Sequence, residues 1–225
     1  MKVGARGYYI LEQPPIIFIH VPKNAGSSIN RLIRNLGGCS FGRRGHSRLN
    51  NHLSTLKAIY PEAKLVGCIR NPWDRLLSGY FFLRAGGRNH RDQIRRILTW
   101  PLIRHDFTAF IRKLRKHPQI FSPSPSETRH LRKIFPYIHL LPQWYWVCDD
   151  NRKLLLDSVL RFENLEDSLT ELLSLTVQPN SSPGLIPRLN VSSHPDYREL
   201  YTPELIEIVA ELYDTDISLF GYSFT

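Results

Sequence analysis

The stretch at positions 14–33, PPIIFIHVPKNAGSSINRLI, decides how the chain is read. Ile16 to Val21 is short, apolar, rich in β-branched residues and led by prolines, the pattern of a buried strand. Ser27 to Leu36 places Ile29, Leu32, Ile33 and Leu36 on one face at helical spacing, and Gly37-Gly38 supplies a stop. Between the two lie Pro22, Lys23, Asn24, Ala25, Gly26, Ser27 and Ser28. A strand–turn–helix junction points several backbone N–H groups outward at the helix start, a geometry that holds an anion. Lys23 adds a mobile cation, Gly26 lets the backbone approach closely, and Ser27 and Ser28 offer hydroxyls. The set reads as a phosphate cradle. The competing reading is an ordinary strand–helix connection with a solvent lysine. The Walker A pattern GxxxxGK[ST] is absent, and so is the dinucleotide-fold glycine pattern.

A second strand, KLVGCIR from Lys64 to Arg70, runs straight into NPWDRLLSGYFF. Asn71 can cap the helix that follows, Pro72 suits its first position, and Asp74 sits in its first turn. Arg70 leaves the carboxyl end of the strand, and Ser78 lies about two turns into the helix. Two anion-binding turns at neighbouring strand ends suit a ligand with phosphates at both ends. The plainer alternatives are an Arg70–Asp74 pair and a buried Ser78 bonded to its own helix.

Further along, helices are predicted over Leu53 to Tyr60, Arg91 to Thr99, Asp106 to His117, Asn164 to Leu175 and Pro203 to Asp214. QWYWV (143–147) and LLLDSVLRF (154–162) read as strands or strand-flanking runs. Residues 118–133 and 178–195 are proline-rich and read as loops. Alternating buried strands and helices favour an α/β fold around a central parallel sheet flanked by helices. The 225 residues suit a single domain, 1–225, with a basic insertion at about 84–138 as the candidate acceptor-binding region.

Charge sharpens this reading. The chain carries a formal +10, and the window from Arg84 to Lys133 alone holds thirteen Lys or Arg against Asp92, Asp106 and Glu127. An anionic partner is expected there, and charge alone leaves nucleic acid, an acidic glycan and a membrane surface open. Zinc-finger spacing, a GXXG loop and an RNP-like run are absent, which argues against nucleic acid. A nucleotide kinase would want a Walker A loop and acidic magnesium ligands. Cys39, Cys68 and Cys148 suggest neither a disulfide framework nor a metal pair, and Cys68 reads as a small buried hydrophobe. No apolar run is long enough to span a membrane. The expected location is cytoplasmic for a bacterial chain, or the Golgi lumen for a eukaryotic chain trimmed of a targeting segment.

The motifs carry a resemblance. HVPKNAGSS, with Lys23, Ala25, Gly26, Ser27 and Ser28 on the motif positions, resembles the 5′-phosphosulfate loop of the sulfotransferases that use 3′-phosphoadenosine 5′-phosphosulfate (PAPS). Ala25 stands where that motif has glycine. VGCIRNPWDRLLSGYFF resembles the family's 3′-phosphate segment, with Arg70 and Ser78 on the two phosphate ligands. LLPQWYWV, VLRFENLEDSLTELL and the tail NVSSHPDYRELYTPELIEIVAELYDTDISLFGY are also similar, and the likeness is greatest to the membrane-associated carbohydrate branch and its bacterial relatives.

The resemblance implies a nucleotide-kinase-like (P-loop-like) α/β fold. It implies sulfuryl transfer from PAPS, with PAP (3′,5′-adenosine bisphosphate) as product, to a hydroxyl or amine of a carbohydrate acceptor, and no metal. Lys23 would be catalytic. Pro22, Asn24, Arg188 and Tyr197 would join the donor site, and Arg43, Arg44, Arg84, Arg88, Gln143 and Trp144 would face the acceptor. His46, after the basic turn GRRG, is the expected general base, since histidine titrates near neutral pH. His52, Asp74, Glu127 and His20 compete for that role. His194 lies in and Arg198 beside the proline-rich loop, and NSS (180–182) and NVS (190–192) have the spacing of glycosylation acceptors.

Overall fold

A computed structural model describes residues 8–12, 15–41, 47–123, 135–174 and 195–225. The chain divides into two compact units, Met1–Arg70 with Gln143–Val191, and Asn71–Pro142 with Ser192–Thr225.

The first unit holds a five-stranded sheet in the order β3-β1-β2-β4-β5, made of β1 (Tyr8–Glu12), β2 (Pro15–Ile19), β3 (Cys39–Phe41), β4 (Lys64–Ile69) and β5 (Ser158–Arg161). β2, β4 and β5 run parallel, while β1 pairs antiparallel with both β2 and β3. The sheet is therefore mixed: a parallel core, as expected, with an antiparallel edge that the expectation of a parallel sheet omitted. The edge arises because β1 and β2 pair antiparallel, Leu11 opposite Ile16 and Glu12 opposite Pro15.

Helix α1 (Gly26–Asn35) crosses over from β2. Its Ile29, Leu32 and Ile33 recur at i, i+3 and i+4 and are buried with Phe18, Val66, Cys68, Leu160 and Leu169. Gly37, at φ 82, ends it in the left-handed region that glycine tolerates best, and the Gly38 N–H donates to the Ile33 carbonyl at 2.8 Å. α2 (Leu53–Ile59) precedes β4, and α7 (Leu165–Ser174) follows β5, with α6 (Trp144–Val147) between β4 and β5 in chain order.

Trp144–Val147 is a helical turn preceded by Gln143, where a strand or a strand-flanking run was expected. The turn leaves carbonyls unsatisfied at its end, and Arg48 supplies the donors. Arg48 Nε donates to the Tyr145 carbonyl at 3.0 Å and Nη2 to the Asp149 carbonyl at 3.0 Å, while Nη1 pairs with Asp150. An arginine 97 residues away in sequence thus selects the conformation.

The second unit is helical: α3 (Pro72–Arg84), α4 (His90–Ile103), α5 (Phe107–Leu114), α8 (Tyr197–Leu200), α9 (Pro203–Leu212) and α10 (Asp214–Phe220). α3 starts as its sequence requires. The Asn71 side chain accepts the Trp73 N–H at 3.1 Å, and Pro72 occupies the first turn. The last helix expected from sequence ends at Leu212, and α10 follows after Tyr213. Inside this unit Trp73 Nε1 donates to the Ile206 carbonyl at 3.1 Å, and the Tyr201 hydroxyl donates to the Trp73 carbonyl at 3.0 Å.

Candidate active site

The turn after β2 is built from strained backbone. Lys23 has φ 73 and Ala25 φ 54, and neither is glycine. Such left-handed residues cost of order 1 kcal/mol each and persist only where the surroundings impose them. Ala25 holds this conformation as the residue before α1, where a side-chain cap is absent. The Ser28 and Ile29 N–H groups both donate to the Ala25 carbonyl, at 2.8 and 3.1 Å. The Gly26 and Ser27 N–H groups, at the first positions of α1, have no intrahelical acceptor by construction. They and the helix dipole present a positive end to an anion.

Gly26 is required by packing. A Cβ there would lie 2.0 Å from His20 Cδ2 and 2.2 Å from Nε2. The imidazole of His20 fills the place a side chain would take, one residue beyond the end of β2. The hydroxyl of Tyr9 and Nδ1 of His20 lie 3.5 Å apart.

A buried amide network fixes the turn. Asn24, 1% exposed, donates from Nδ2 to the Cys68 carbonyl at 2.7 Å and to Gln143 Oε1 at 2.7 Å. Gln143, fully buried, accepts the Arg70 N–H on the same oxygen at 2.9 Å and donates from Nε2 to the Arg70 carbonyl at 2.8 Å. Arg70 Nη1 in turn donates to the Lys23 carbonyl at 3.1 Å, and its guanidinium stacks 4.0 Å over the Phe162 ring. The turn after β2 and the end of β4 are therefore one assembly. Burial pushes the Cys68 thiol well above its usual pKa, as for an inert core residue.

The expected residues distribute as follows. Pro22, Lys23, Asn24, Ala25, Gly26, Ser27, Ser28 and Arg70 are gathered at this junction; Lys23 and Ser27 are partly exposed, and Ser28 is buried. Gln143 joins them, but its amide is committed to Asn24 and Arg70, so it shapes the site from behind. Trp144 is 6% exposed, beneath the Arg152 guanidinium at 5.1 Å.

Ser78 lies in the second unit, 2% exposed on α3. Tyr197 is there too. Its hydroxyl donates to the Thr225 carbonyl, and its ring meets Tyr201 and Phe224 at 6.3 and 5.4 Å. Arg84 donates from Nη1 to the Tyr80 hydroxyl at 2.6 Å, and the Arg88 N–H donates to Asp92. His46, Arg43, Arg44 and Arg188 lie outside the described residues, as do Glu127, His194 and both glycosylation-type triplets. Sequence reading placed Asn24 in the donor site, and the structure adds that its amide is bonded to the Cys68 carbonyl and to Gln143, partners that no local pattern announces.

The junction thus brings the Arg70 guanidinium against the backbone of the turn that carries Lys23, next to the first N–H groups of α1 and to Ser27 and Ser28. A sulfotransferase family model matches residues 6–223. The chain belongs to the sulfotransferase family, whose general chemistry is sulfuryl transfer. No curated protein and no solved structure matches it.

Proposed function

We propose that the protein takes the sulfuryl group from PAPS and delivers it to a hydroxyl, or an amine, of a carbohydrate acceptor. The observation that supports this most is the junction itself, where Arg70 donates to the Lys23 carbonyl at 3.1 Å and Asn24 and Gln143 fasten both segments. That arrangement suits a donor carrying an anionic group at each end. The donor, when bound, supplies an activated sulfuryl group on a phosphate leaving group.

The chain's own groups do the rest. Lys23 compensates the negative charge that develops on the leaving phosphate, with the Gly26 and Ser27 N–H groups and the Ser27 and Ser28 hydroxyls beside it. Fixed in advance, these donors need no reorganisation as charge develops. Pro22 and Asn24 hold the loop in shape. Arg70 binds the 3′-phosphate. Ser78 shares that role by its spacing in the motif, and Arg188 and Tyr197 belong to the donor site on the same sequence grounds. His46 takes the acceptor proton. Arg43, Arg44, Arg84 and Arg88 favour an acceptor bearing carboxylates or sulfates. None of these roles uses a metal.

The experiment is a titration with PAP, the expected product, followed by donor-dependent sulfation of a carbohydrate array. PAP should bind in preference to ATP, with no effect of a chelator, and Arg70→Ala should weaken it while the protein stays folded. Preference for ATP, or full PAP affinity in Arg70→Ala, overturns the assignment of the donor site. His46→Ala should keep PAP binding and lose turnover; an unchanged rate at neutral pH places the base elsewhere.

A further inference from the structure

Helix α4 is clamped on one side and bare on the other. Its start is capped by Asn89, whose side chain accepts the Arg91 and Asp92 N–H groups. Inward, Asp92, Thr99, Leu102 and Ile103 are buried, and Asp92 pairs with Arg95 at 2.6 Å and faces His139 at 3.6 Å. Outward, Ile97 is 71% exposed, Leu98 51% and Trp100 42%. At about 100° per residue, Ile97, Trp100, Pro101 and Arg104 share the outward face. Arg91 and Arg96 are exposed at its flanks, with the Arg96 guanidinium 5.2 Å over the Trp100 ring. At the far end Lys113 of α5 donates to the Pro101 carbonyl at 3.2 Å.

The sign of the charge is uniform. The one carboxylate of α4, Asp92, is turned inward and paired, so every ionised group on the exposed face is a cation, and the neutral Gln93 lies beside the apolar groups. The lysine and arginine excess of the Arg84–Lys133 window runs through this helix.

We infer that this face docks the protein reversibly on an anionic lipid bilayer. A hydrated polysaccharide gains nothing from Ile97 and Leu98, which offer no hydrogen bonds. A second copy of the chain would bring arginine against arginine. A bilayer interface takes all three components at once. Aliphatic side chains enter the acyl boundary, an indole settles at headgroup level, and arginines reach lipid phosphates from the flanks. The docking is independent of the donor site and requires no spanning helix.

The test uses the full chain and exploits the tryptophans. Trp73, Trp144 and Trp146 are buried, at 3, 6 and 3% exposure, so a change in the emission of exposed Trp100 reports the face directly. The protein should sediment with mixed phosphatidylcholine–phosphatidylglycerol vesicles and not with phosphatidylcholine alone. The Trp100 emission should shift to the blue and be quenched by bromine-labelled lipid. Ile97→Asp should lower binding at least tenfold without changing the melting temperature, since the side chain is exposed. Arg96→Gln should lower it about fivefold, an effect that added salt erases. Leu98→Asp is the second variant, should the first fail to fold.

Absence of sedimentation with mixed vesicles overturns the inference, as does binding that survives both aspartate variants. Two other results overturn it in favour of another occupant. One is a Trp100 shift caused by a sulfated polysaccharide or an acidic protein but not by vesicles. The other is concentration-dependent self-association lost in Ile97→Asp.

Discussion

Asn24 Nδ2 donates to Gln143 Oε1 across 2.7 Å, although 119 residues separate them in the chain. The same glutamine oxygen receives the Arg70 N–H. One side chain thus ties the turn that precedes α1 to the end of β4, and the candidate anion site is held by the core rather than by the loop's own preferences.

Gln143→Ala is therefore expected to act twice. It strips a partner from Asn24 and from both backbone groups of Arg70, each a buried polar group costing about 1–3 kcal/mol when unsatisfied. The melting temperature should fall, and PAP affinity should fall further than stability alone predicts. Gln143→Glu keeps the acceptor oxygens and removes the donor to the Arg70 carbonyl, so calorimetry should place it between wild type and alanine.

Gly26→Ala should be destabilising by about 1–3 kcal/mol, as overpacking usually is. The added methyl falls on the His20 ring. Combining it with His20→Ala should return much of the lost stability, because the second change empties the contested space. A double-mutant cycle read by chemical denaturation checks this; strict additivity of the two changes would falsify it.

Substitutions at Lys23 test its backbone conformation and its proposed role apart from each other. Its φ of 73 carries a Cβ penalty that glycine lacks. Lys23→Gly should be more stable than Lys23→Ala by about 1 kcal/mol. Both should lose sulfation turnover by a factor of about 10²–10³ if the ammonium is the group that meets the leaving phosphate. Activity retained by the glycine variant would remove the lysine from the chemistry.

Asp92 gives the second unit an acid limit. Burial pushes its carboxyl up, but the His139 side chain, the Arg88 N–H and Arg95 outweigh that and hold its pKa at about 2. A depressed carboxyl contributes stability above its unfolded pKa of about 3.9, and that contribution is lost as pH falls through the folded value. The gap corresponds to about 2.5 kcal/mol, present at neutral pH, falling from about pH 5 and gone by about pH 1. Asp92→Asn should cost a similar amount at pH 7 and flatten the stability curve between about pH 5 and 1. Acid denaturation followed by circular dichroism measures both.

The elements that surround the site were legible because their signals are local. Ile16 to Val21 and Lys64 to Arg70 announce strands by composition, and Asn71-Pro72 announces a helix start by cap chemistry. The observed β2, β4 and α3 lie within two residues of those limits at their starts and ends near the site. The antiparallel edge was missed because Tyr8–Glu12 is a short apolar run whose partner is a matter of pairing, not pattern. QWYWV was misread because aromatic residues favour strands on average, while Arg48, remote in sequence, satisfies the carbonyls of a helical turn. The role of Gln143 was hidden for the same reason: sequence shows the amide but not its three partners. The outward face of α4 was legible only as charge; the exposure of Ile97 and Trp100 is a fact of packing.

The amide network also dictates when the site comes into being. Its bonds join positions 44, 47, 73 and 119 residues apart, so none of them closes within a single local segment. During synthesis the lysine-bearing turn emerges early and must wait, unfastened, until the segment carrying Gln143 has left the ribosome and docked. A nascent chain arrested before that point would carry the whole cradle motif in its sequence and still have no rigid receptor for an anionic ligand.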